Sequence, residues 1–513
     1  MDDKRNINIC VDDDFDRFGI PFATRNNKYY FDSGTGKVLR CTEDMYKLLL
    51  NIFKNKGKVV DVGLSRNKIS DLILKLNKMV AEENIFKARK LDFFNCAHIN
   101  NLKELVDQGC RQLILEVTEN CNLRCKYCIY GEETENFRGF GARQMNFDIA
   151  KSAIDYFAEK SDKKQDLMMS FYGGEPLLNY KLIVMATEYA KKKLGSRVTF
   201  NLTSNLTLMN KKMAKFFADN SFRITCSLDG NEEIHNQNRV FKNEIGSYEK
   251  TVGGLKLLYE SYDKDKRKYI GTNSVISPPY NKEKFDSMDN FFNKLSFIDS
   301  DSPRSVSYEG RDIIANDSDL LPNVDLISAN ANTKFDLTSW EYEKIYEEHE
   351  TVFSDMLDEG LKEIHNRRIS DIPFVDSGLN ACCIPGIQRL YVSTEGNFFA
   401  CERIGNSPAI GDVRNGISFD RIKRYYVDDY SQMSKENCKK CWAIQLCNVC
   451  YARCFDSDGL DMKRKKILCE GCRTQMYKLL ILYHTILEEQ PDLLLKYNED
   501  ENYYERRKQD ETN

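Results

Sequence analysis

The chain has 513 residues, of which 41% are hydrophobic and 30% are charged, and this length predicts about three domains rather than one core. Lys plus Arg (75) nearly balance Asp plus Glu (79), so the formal net charge of -4 gives no case for a nucleic-acid or membrane-surface partner. The sequence starts without an apolar signal core and contains no long apolar run, so we expect a cytoplasmic protein.

The chain is rich in cysteine. It contains 18 cysteines, which without a secretion signal argue against a disulfide framework and for metal or redox chemistry. Three of them lie between residues 121 and 128, and ten lie between residues 382 and 472. These two groups are the candidate metal-binding segments.

Residues 1–105 predict a small winged-helix-like domain. Two short strands flank a Gly-Thr-Gly turn, and a helix capped by Thr42 follows. The pattern predicts two hairpin strands and two helices, over residues 28–32, 37–41, 43–53 and 70–80.

Residues 106–310 alternate strand-like and helix-like segments. The predicted strands are residues 112–117, 167–172, 198–203, 222–228, 268–276 and 304–308. The predicted helices are residues 147–160, 180–194, 211–218, 248–259 and 282–294. Repeated strand–helix units imply an α/β fold with a parallel sheet, here a partial (β/α)6 barrel.

The rest of the chain divides into three segments. Residues 311–375 are acidic and predict a helical bridge, and residues 376–475 form a cysteine-rich module. Residues 476–513 predict a packing helix over 476–487, followed by a charged tail over 499–513 that we expect to be disordered.

Unusual motifs follow the first four predicted barrel strands. They are the cysteine triplet, Gly173-Gly174-Glu175-Pro176, Ser204-Asn205 and Ser227-Leu-Asp-Gly230. Because the carboxyl ends of barrel strands meet at one mouth, we expect these motifs to converge there.

The spacing of Cys121, Cys125 and Cys128 is Cys-x3-Cys-x2-Cys, with Tyr127 before the last cysteine. Three thiolates hold three corners of an iron-sulfur cubane and leave one iron open. The motif resembles that of the radical S-adenosylmethionine (radical SAM) superfamily. The resemblance implies a [4Fe-4S] cluster that binds SAM and cleaves it to a 5'-deoxyadenosyl radical. A zinc knuckle would need a fourth ligand, and the neighbouring sequence offers no Cys or His for it.

The same resemblance implies roles for the other mouth motifs. The implied SAM-binding residues are Gly173, Gly174, Glu175, Ser204, Asn205, Ser227 and Arg239. Glu175 would hold the SAM amino group, Ser227 the ribose and Arg239 the SAM carboxylate, for which a guanidinium fork is suited. The chain departs from the family at Leu206, where a glycine is expected. It also carries Asn236 where related sulfatase-maturing enzymes often have Asp, and an amide cannot act as a base.

The C-terminal cysteines resemble the SPASM module, which in peptide-modifying radical SAM enzymes binds two auxiliary [4Fe-4S] clusters. The resemblance implies an inner set, Cys383, Cys401 and Cys450. It implies an outer set, Cys438, Cys441, Cys447 and Cys469. The lower-ranked candidates are Cys382, Cys454 and Cys472. Zinc ribbons remain an alternative for this module, because paired Cys-x2-Cys spacings also suit zinc.

The N-terminal unit resembles the peptide-recognition winged helix of peptide-natural-product biosynthesis. Such a module binds an extended leader peptide as an added strand. A small cap that only stabilises the core is the alternative.

Together these resemblances imply a maturase of ribosomally made, Cys-rich peptides that forms a thioether or another crosslink. Its partners would be the precursor peptide and an external electron donor of the flavodoxin or ferredoxin type. Two alternatives stay open, an anaerobic sulfatase maturase that forms formylglycine and a non-catalytic zinc-binding adaptor.

Overall fold

A computed structural model describes most of the chain. The described residues are 19–55, 58–88, 94, 100–131, 138–161, 166–295, 302–308, 340, 343–344, 351–375, 383–403 and 406–498. The candidate ligand Cys382, most of the predicted helical bridge and the charged tail therefore lie outside the described residues.

The N-terminal part of the described chain is a three-stranded antiparallel sheet in the order β1-β2-β3. The elements up to the barrel are β1 (Ile20–Ala23), β2 (Lys28–Phe31), β3 (Val38–Cys41), α1 (Glu43–Lys54), α2 (Arg66–Glu83) and α3 (Leu102–Gln108). Thr42 caps α1 by accepting a hydrogen bond from the Met45 backbone N–H at 3.3 Å, as the sequence predicts. The sequence pattern did not predict β1.

Six parallel strands, in chain order, form the central sheet. They are β4 (Gln112–Thr118), β5 (Leu167–Gly173), β6 (Val198–Ser204), β7 (Arg223–Ser227), β8 (Ile270–Ile276) and β9 (Arg304–Tyr308). The intervening helices are α4 (Phe147–Lys160), α5 (Tyr180–Leu194), α6 (Lys211–Asp219), α7 (Glu232–Asn238), α8 (Tyr248–Ser261) and α9 (Lys282–Lys294). The predicted parallel α/β sheet is confirmed, and the predicted element boundaries differ by two residues or fewer.

The two faces of this sheet differ in polarity. On β5, Leu167, Met169 and Phe171 belong to the main hydrophobic core, whereas the alternating residues Ser170 and Tyr172 point to the opposite face. β4 shows the same alternation. The helices therefore cover an apolar face, and the other face carries polar side chains.

The cysteine-rich module continues this sheet, which the sequence did not indicate. Strand β10 (Leu390–Val392) pairs in parallel with β4, and β11 (Asn397–Phe399), β12 (Gly411–Asp412) and β13 (Gly416–Ile417) follow as antiparallel strands. The result is a ten-stranded sheet in the order β13-β12-β11-β10-β4-β5-β6-β7-β8-β9.

The remaining C-terminal elements are mostly helical. They are α10 (Ser354–His365), α11 (Phe419–Arg421), a π-helical segment (Ile422–Asp429), α12 (Tyr430–Cys438), β14 (Phe455–Asp456), β15 (Gly459–Leu460) and α13 (Met462–Glu489). Short 3-10 helices occupy Pro176–Asn179, Gly195–Arg197, Lys264–Tyr269, Ile444–Leu446, Tyr451–Cys454 and Pro491–Tyr497.

Helix α13 is longer than the predicted helix over 476–487. Asp461 caps it by accepting from the Lys463 backbone N–H at 2.8 Å, so the helix starts before Cys469 and Cys472 and includes both. The predicted boundary between residues 475 and 476 therefore falls inside one helix. Among the described residues, no helix combines the length and apolarity needed to cross a lipid bilayer.

The far end of α13 packs on the N-terminal sheet. Tyr29 donates a hydrogen bond to Glu488 Oε1 at 2.6 Å, and Thr24 Oγ1 donates to the same atom at 2.8 Å. The Phe22 ring lies 5.0 Å from the His484 ring, centroid to centroid. One helix thus joins the cysteine-rich module to the N-terminal sheet.

Candidate active site

Cys121, Cys125 and Cys128 lie on the loop that follows β4, at the carboxyl edge of the parallel sheet. Backbone hydrogen bonds fix this loop, because the Arg124 N–H donates to the Val240 carbonyl at 2.7 Å and the Lys126 N–H donates to the Asn238 carbonyl at 3.1 Å. The segment that follows β7 and α7 therefore contacts the cysteine loop, as the sequence predicts.

The three thiols of the loop occupy a low-dielectric environment. Cys121 is buried, and Cys125 and Cys128 are half-buried. Burial raises the pKa of all three thiols, that of Cys125 to about 12. Bound metal would offset this cost, because a metal ion stabilises the deprotonated sulfur.

Gly173 and Gly174 pack directly against the backbone that leads into the cysteine loop. A Cβ atom on Gly173 would lie 2.1 Å from the Thr118 carbonyl oxygen, and one on Gly174 would lie 2.2 Å from the Asn120 carbonyl oxygen. The Gly174 N–H donates to Thr118 O at 2.9 Å. Only glycine permits this approach, so the pair holds the cysteine loop in place.

Glu175 ties two of the mouth loops together. Its buried carboxylate accepts from Ser204 Oγ at 2.7 Å and from the backbone N–H groups of Asn205 at 2.9 Å and Leu177 at 3.0 Å. Burial raises the pKa of Glu175, and these three donors oppose that rise. In this geometry Glu175 organises the loops, and its contact with a SAM amino group stays a prediction.

Ser204 and Asn205 are brought to the cysteine loop as predicted from their position after β6. The Asn205 side-chain amide donates to Asn122 Oδ1 at 3.1 Å. The next residue, Leu206, adopts φ +57°, the left-handed conformation that glycine favours. The departure from the family glycine is thus one of residue type, while the backbone keeps the turn.

Arg239 lies beneath the cysteine loop and is buried. Its Nε is 3.0 Å from Asp229 Oδ1, and its guanidinium lies 5.4 Å from the centroid of the Tyr127 ring. Tyr127 donates to the other carboxylate oxygen of Asp229 at 2.5 Å. Asp229 therefore joins Tyr127 and Arg239, and the predicted contact of Arg239 with the SAM carboxylate stays a prediction. Ser227 ends β7 beside this group and is half-buried.

A further group of polar residues, which sequence reasoning missed, lies on the polar face of the sheet. Arg138 forms an ion pair with the buried carboxylate of Glu116, and its guanidinium lies 4.0 Å from the Tyr130 ring centroid. The Thr394 backbone N–H donates to the other oxygen of Glu116 at 3.3 Å. A polar residue that alternates with core residues along a strand is the sequence signal for such a site. It can be recognised only once the two faces of the strand have been assigned.

Tyr172 lies near the end of β5, on the polar face of the sheet. Burial raises the pKa of its phenol. The charges of Cys128, on the mouth loop, and of Cys401, in the cysteine-rich module, both act on this phenol.

The inner cysteine set is only partly assembled. Cys401 and Cys450 both pack against Ala400, whereas Cys383 is exposed. Glu402, next to Cys401, accepts from Arg389 at 2.9 Å.

The outer cysteine set surrounds a lysine that sequence reasoning missed. The Nζ atom of the buried Lys465 lies 3.6 Å from Cys438 Sγ and 3.6 Å from Cys469 Sγ. The sulfur charges of Cys447 and of the lower-ranked Cys454 also act on it. The other lower-ranked residue, Cys472, is buried on the same helix as Cys469 and hydrogen-bonds Cys447.

Both cysteine groups fit iron-sulfur clusters by the chemistry of their donors. The mouth loop brings together three thiols that are packed under glycines, and the outer set brings together several thiols around one cation. In the described parts of the chain, no three His, Cys, Asp or Glu side chains converge tightly enough to hold a single metal ion. A cubane core, in contrast, takes its thiolates from a wider shell around four irons.

The cysteine triplet and its glycine-rich neighbour lie within the part of the chain that resembles a known family. Residues 115–292 match the family model for the Radical SAM superfamily, whose members bind a [4Fe-4S] cluster and SAM. The match covers strands β5 to β8 entirely and most of β4.

The chain is similar to a sulfatase-maturating enzyme and to a cyclopropyl synthase. It is 33% identical over 155 residues to the "Cysteine-type anaerobic sulfatase-maturating enzyme" of Clostridium novyi, which covers 28% of this chain and 39% of that enzyme. It is 25% identical over 402 residues to the "Radical SAM cyclopropyl synthase TigE" of Paramaledivibacter caminithermalis. This alignment covers 75% of this chain and 76% of that enzyme.

A solved structure with a similar fold is "Native anSMEcpe with bound AdoMet", which is 19% identical with a TM-score of 0.48 over 74% of this chain and all of that one. The chain spans 39% and 50% of the length of two relatives that are 33% and 34% identical to it. The similarity to TigE thus extends beyond residues 115–292, at a lower identity than the shorter similarity to the sulfatase-maturating enzyme.

Proposed function

We propose that this protein is a radical SAM enzyme that modifies a ribosomally made, Cys-rich peptide. The proposed reaction transfers a hydrogen atom from a peptide carbon to the 5'-deoxyadenosyl radical and joins that carbon to a cysteine sulfur as a thioether. The thiol proton would be lost to solvent, and the auxiliary cluster would take up the remaining electron. The observation that supports it is the pairing of β10 with β4, which joins the cysteine-rich module to the strand that precedes the mouth loop. Two cysteine groups attached to one sheet suit a substrate that must meet both.

Cys121, Cys125 and Cys128 would hold the SAM-binding [4Fe-4S] cluster, which supplies the 5'-deoxyadenosyl radical when SAM is bound. The protein's part is to hold the loop rigid. Gly174 lets the neighbouring loop approach the Asn120 backbone, and Arg239 places a buried positive charge beside the thiolate of Cys125. This charge favours the deprotonated sulfur that a cluster needs.

The inner set, Cys383, Cys401 and Cys450, would hold one auxiliary cluster and the outer set the other. Of these, Cys401 and Cys450 share the Ala400 contact. Cys383 is exposed, so it would have to close on the cluster when iron is loaded. An inner cluster with an open corner could hold the substrate thiolate next to the radical site.

The N-terminal sheet is the proposed binding site for a leader peptide. Tyr29 on β2 and Thr24 at the end of β1 hydrogen-bond Glu488 of α13, whereas β3 pairs only with β2 among the described strands. Side chains on β3 are half-buried or exposed. A leader added as a fourth strand would therefore pair with β3.

The leader site is best tested by a point substitution. Deleting residues 1–100 would remove Ile20, Phe22 and Phe31, which belong to the main hydrophobic core, and would expose the core residues that pack against them. Arg40→Glu reverses the charge of an exposed side chain on β3, and Arg25→Glu does the same at an exposed position near the β1 edge. We expect only Arg40→Glu to weaken binding of the precursor peptide in a fluorescence-anisotropy titration.

The neighbouring reading frames are first searched for a short Cys-rich peptide, and the proposed reaction is tested with the peptide that such a frame encodes. The iron-replete protein, SAM, a flavodoxin or ferredoxin type donor and the peptide are incubated without oxygen. We expect a mass loss of two hydrogens per crosslink, and tandem mass spectrometry after thiol alkylation should locate a cysteine that no longer alkylates. An unchanged peptide in the presence of 5'-deoxyadenosine would contradict the substrate class, while leaving SAM cleavage intact.

Formylglycine formation is the alternative that the Clostridium novyi relative favours. Asn236 supports the peptide crosslink over it, because its side-chain oxygen accepts from the Tyr248 backbone N–H at 3.0 Å and serves the fold. A sulfatase-derived peptide converted to an aldehyde by this enzyme would establish the alternative. A colourless protein with bound zinc and no iron would instead establish the zinc-binding adaptor.

A further inference from the structure

A buried ammonium group sits among the outer cysteines, and the proposed function does not use it. Lys465 is 2% exposed, although lysine is among the residues least often buried. Its Nζ atom contacts Cys438 Sγ and Cys469 Sγ, each at 3.6 Å, and lies 5.4 Å from the Tyr430 ring centroid. In the described chain, no carboxylate forms an ion pair with this lysine.

A charge in this position needs a compensating negative charge. Desolvation is costly for an unpaired buried ammonium, and sulfhydryl groups in their neutral form would not offset it. The nearest groups that could supply it are the sulfur atoms of Cys438 and Cys469, each 3.6 Å from the Lys465 Nζ atom. This contact suits the deprotonated sulfur of a metal-bound cysteine.

The neighbouring lysine shows that this burial is specific to one position. Lys466 is 73% exposed and lies 4.0 Å from Glu470, one helical turn away on the outside of α13. Lys465 and Cys469 are four residues apart and share the inner side of the helix. The helix therefore directs one lysine into the cysteines and the next one into solvent.

We propose that Lys465 is a positioning residue that stabilises the reduced form of the outer auxiliary cluster, through its positive charge and its N–H contacts to Cys438 and Cys469. One-electron reduction adds one negative charge to a cluster, and a cation at its sulfur atoms favours the reduced state more than the oxidised one. The inference rests on the proposed function only in that the outer set holds a redox-active cluster.

The test compares reduction midpoint potentials of full-length, iron-replete protein. Cys121, Cys125 and Cys128 are replaced by alanine in all samples, so that only the C-terminal clusters contribute. Dithionite titrations with redox mediators are followed by electron paramagnetic resonance. Lys465→Met removes the charge and keeps the chain length, Lys465→Arg keeps the charge, and Lys466→Met is the matched control.

We expect one of the two C-terminal reduction steps to shift to lower potential in Lys465→Met and the other to stay. At a fixed potential the reduced-to-oxidised ratio of the shifted step should fall about tenfold, which for one electron is about 59 mV. Lys465→Arg should restore most of the wild-type potential, and Lys466→Met should not move either step.

The other outcomes also decide the question. Unchanged potentials in a fully loaded Lys465→Met protein would overturn the inference and leave the proposed function standing. Zinc in place of iron at both C-terminal sites would overturn the auxiliary-cluster part of the proposed function together with the inference. If Lys465→Met and Lys465→Gln lose iron, retention by Lys465→Arg would support charge compensation, whereas loss from all three variants would show a packing role only.

Discussion

The cysteine loop at the barrel mouth and the outer cysteine set hold their thiols in different ways. The mouth loop carries its three cysteines within eight residues and is fixed by backbone contacts to Gly174, Asn238 and Val240. The outer set comes from separate segments, α12, the following turns and α13, and surrounds the Lys465 side chain. The first site therefore depends on close backbone packing, and the second depends on one side-chain charge.

The largest effect is expected from a substitution in the mouth loop. Cys125→Ala removes one of three ligands of a cluster that has no spare protein donor, so we expect 5'-deoxyadenosine formation to fall to background. Liquid chromatography of reaction mixtures measures it. Cys41→Ala, at a half-buried cysteine in β3, is the control and should keep full activity. SAM cleavage by an iron-replete Cys125→Ala protein would contradict the cluster assignment.

The matching substitution in the outer set should separate SAM cleavage from peptide modification. Cys469→Ala lies inside α13, where alanine preserves the helix. We expect iron content to fall by about four atoms per chain, since one cubane is lost. Peptide product should fall by at least about tenfold while SAM cleavage continues, because even the loss of a residue that only orients a metal ligand typically costs about 10- to 100-fold. Equal loss of both activities would show that the two sites are not separable.

The dependence of the mouth on backbone packing is tested with two glycines. Gly174→Ala forces a Cβ to within 2.2 Å of the Asn120 carbonyl oxygen and should lower the free energy of unfolding by about 1–3 kcal/mol. Gly253→Ala, exposed inside α8 with open space around its Cβ, should raise it by about 0.5–1 kcal/mol. Urea denaturation measures both. A Gly174→Ala protein as stable as Gly253→Ala would show that the loops separate easily.

Much of the barrel could be predicted because its signals are local. Period-two strands, Asn-capped helices and the Cys-x3-Cys-x2-Cys spacing each lie within a short window. Asn146, for example, caps α4 by accepting from the Ile149 N–H at 2.9 Å, at the predicted start of that helix. The position of the mouth loops could then be predicted, since parallel strands place their carboxyl ends on one edge of the sheet.

The remaining features depend on contacts between distant segments. Strand β10 has only three residues and is stabilised by pairing with β4, more than 270 residues earlier, so no local pattern indicates it. Lys465 looks like any charged helix residue in sequence, and only the fold places it among Cys438 and Cys469. Tyr172 is another case, since only the fold brings the charge of Cys401 to act on it.

The smallest expected effect concerns the contact between α13 and the N-terminal sheet, where Tyr29 donates to Glu488 at 2.6 Å. Tyr29→Phe should destabilise this contact by about 1–2 kcal/mol at neutral pH, the cost of a hydrogen bond to a charged acceptor. Faster amide hydrogen exchange in β1 and β2, with the barrel strands unchanged, would measure it.

This contact should also weaken in acid. Partial burial raises the pKa of Glu488, but hydrogen bonds from Tyr29, Asn27 and Thr24 lower it by more, so the folded-state pKa lies below the ordinary value of 4.5. A lowered pKa stabilises the contact above 4.5, and this contribution is lost as the pH falls through the folded-state value. The difference between wild type and Tyr29→Phe should therefore shrink below that pH. In a Glu488→Gln background the effect of Tyr29→Phe should be small at every pH, because the charge is absent. If the effect of Tyr29→Phe in the wild-type background does not change with pH, packing rather than the carboxylate joins the helix to the sheet.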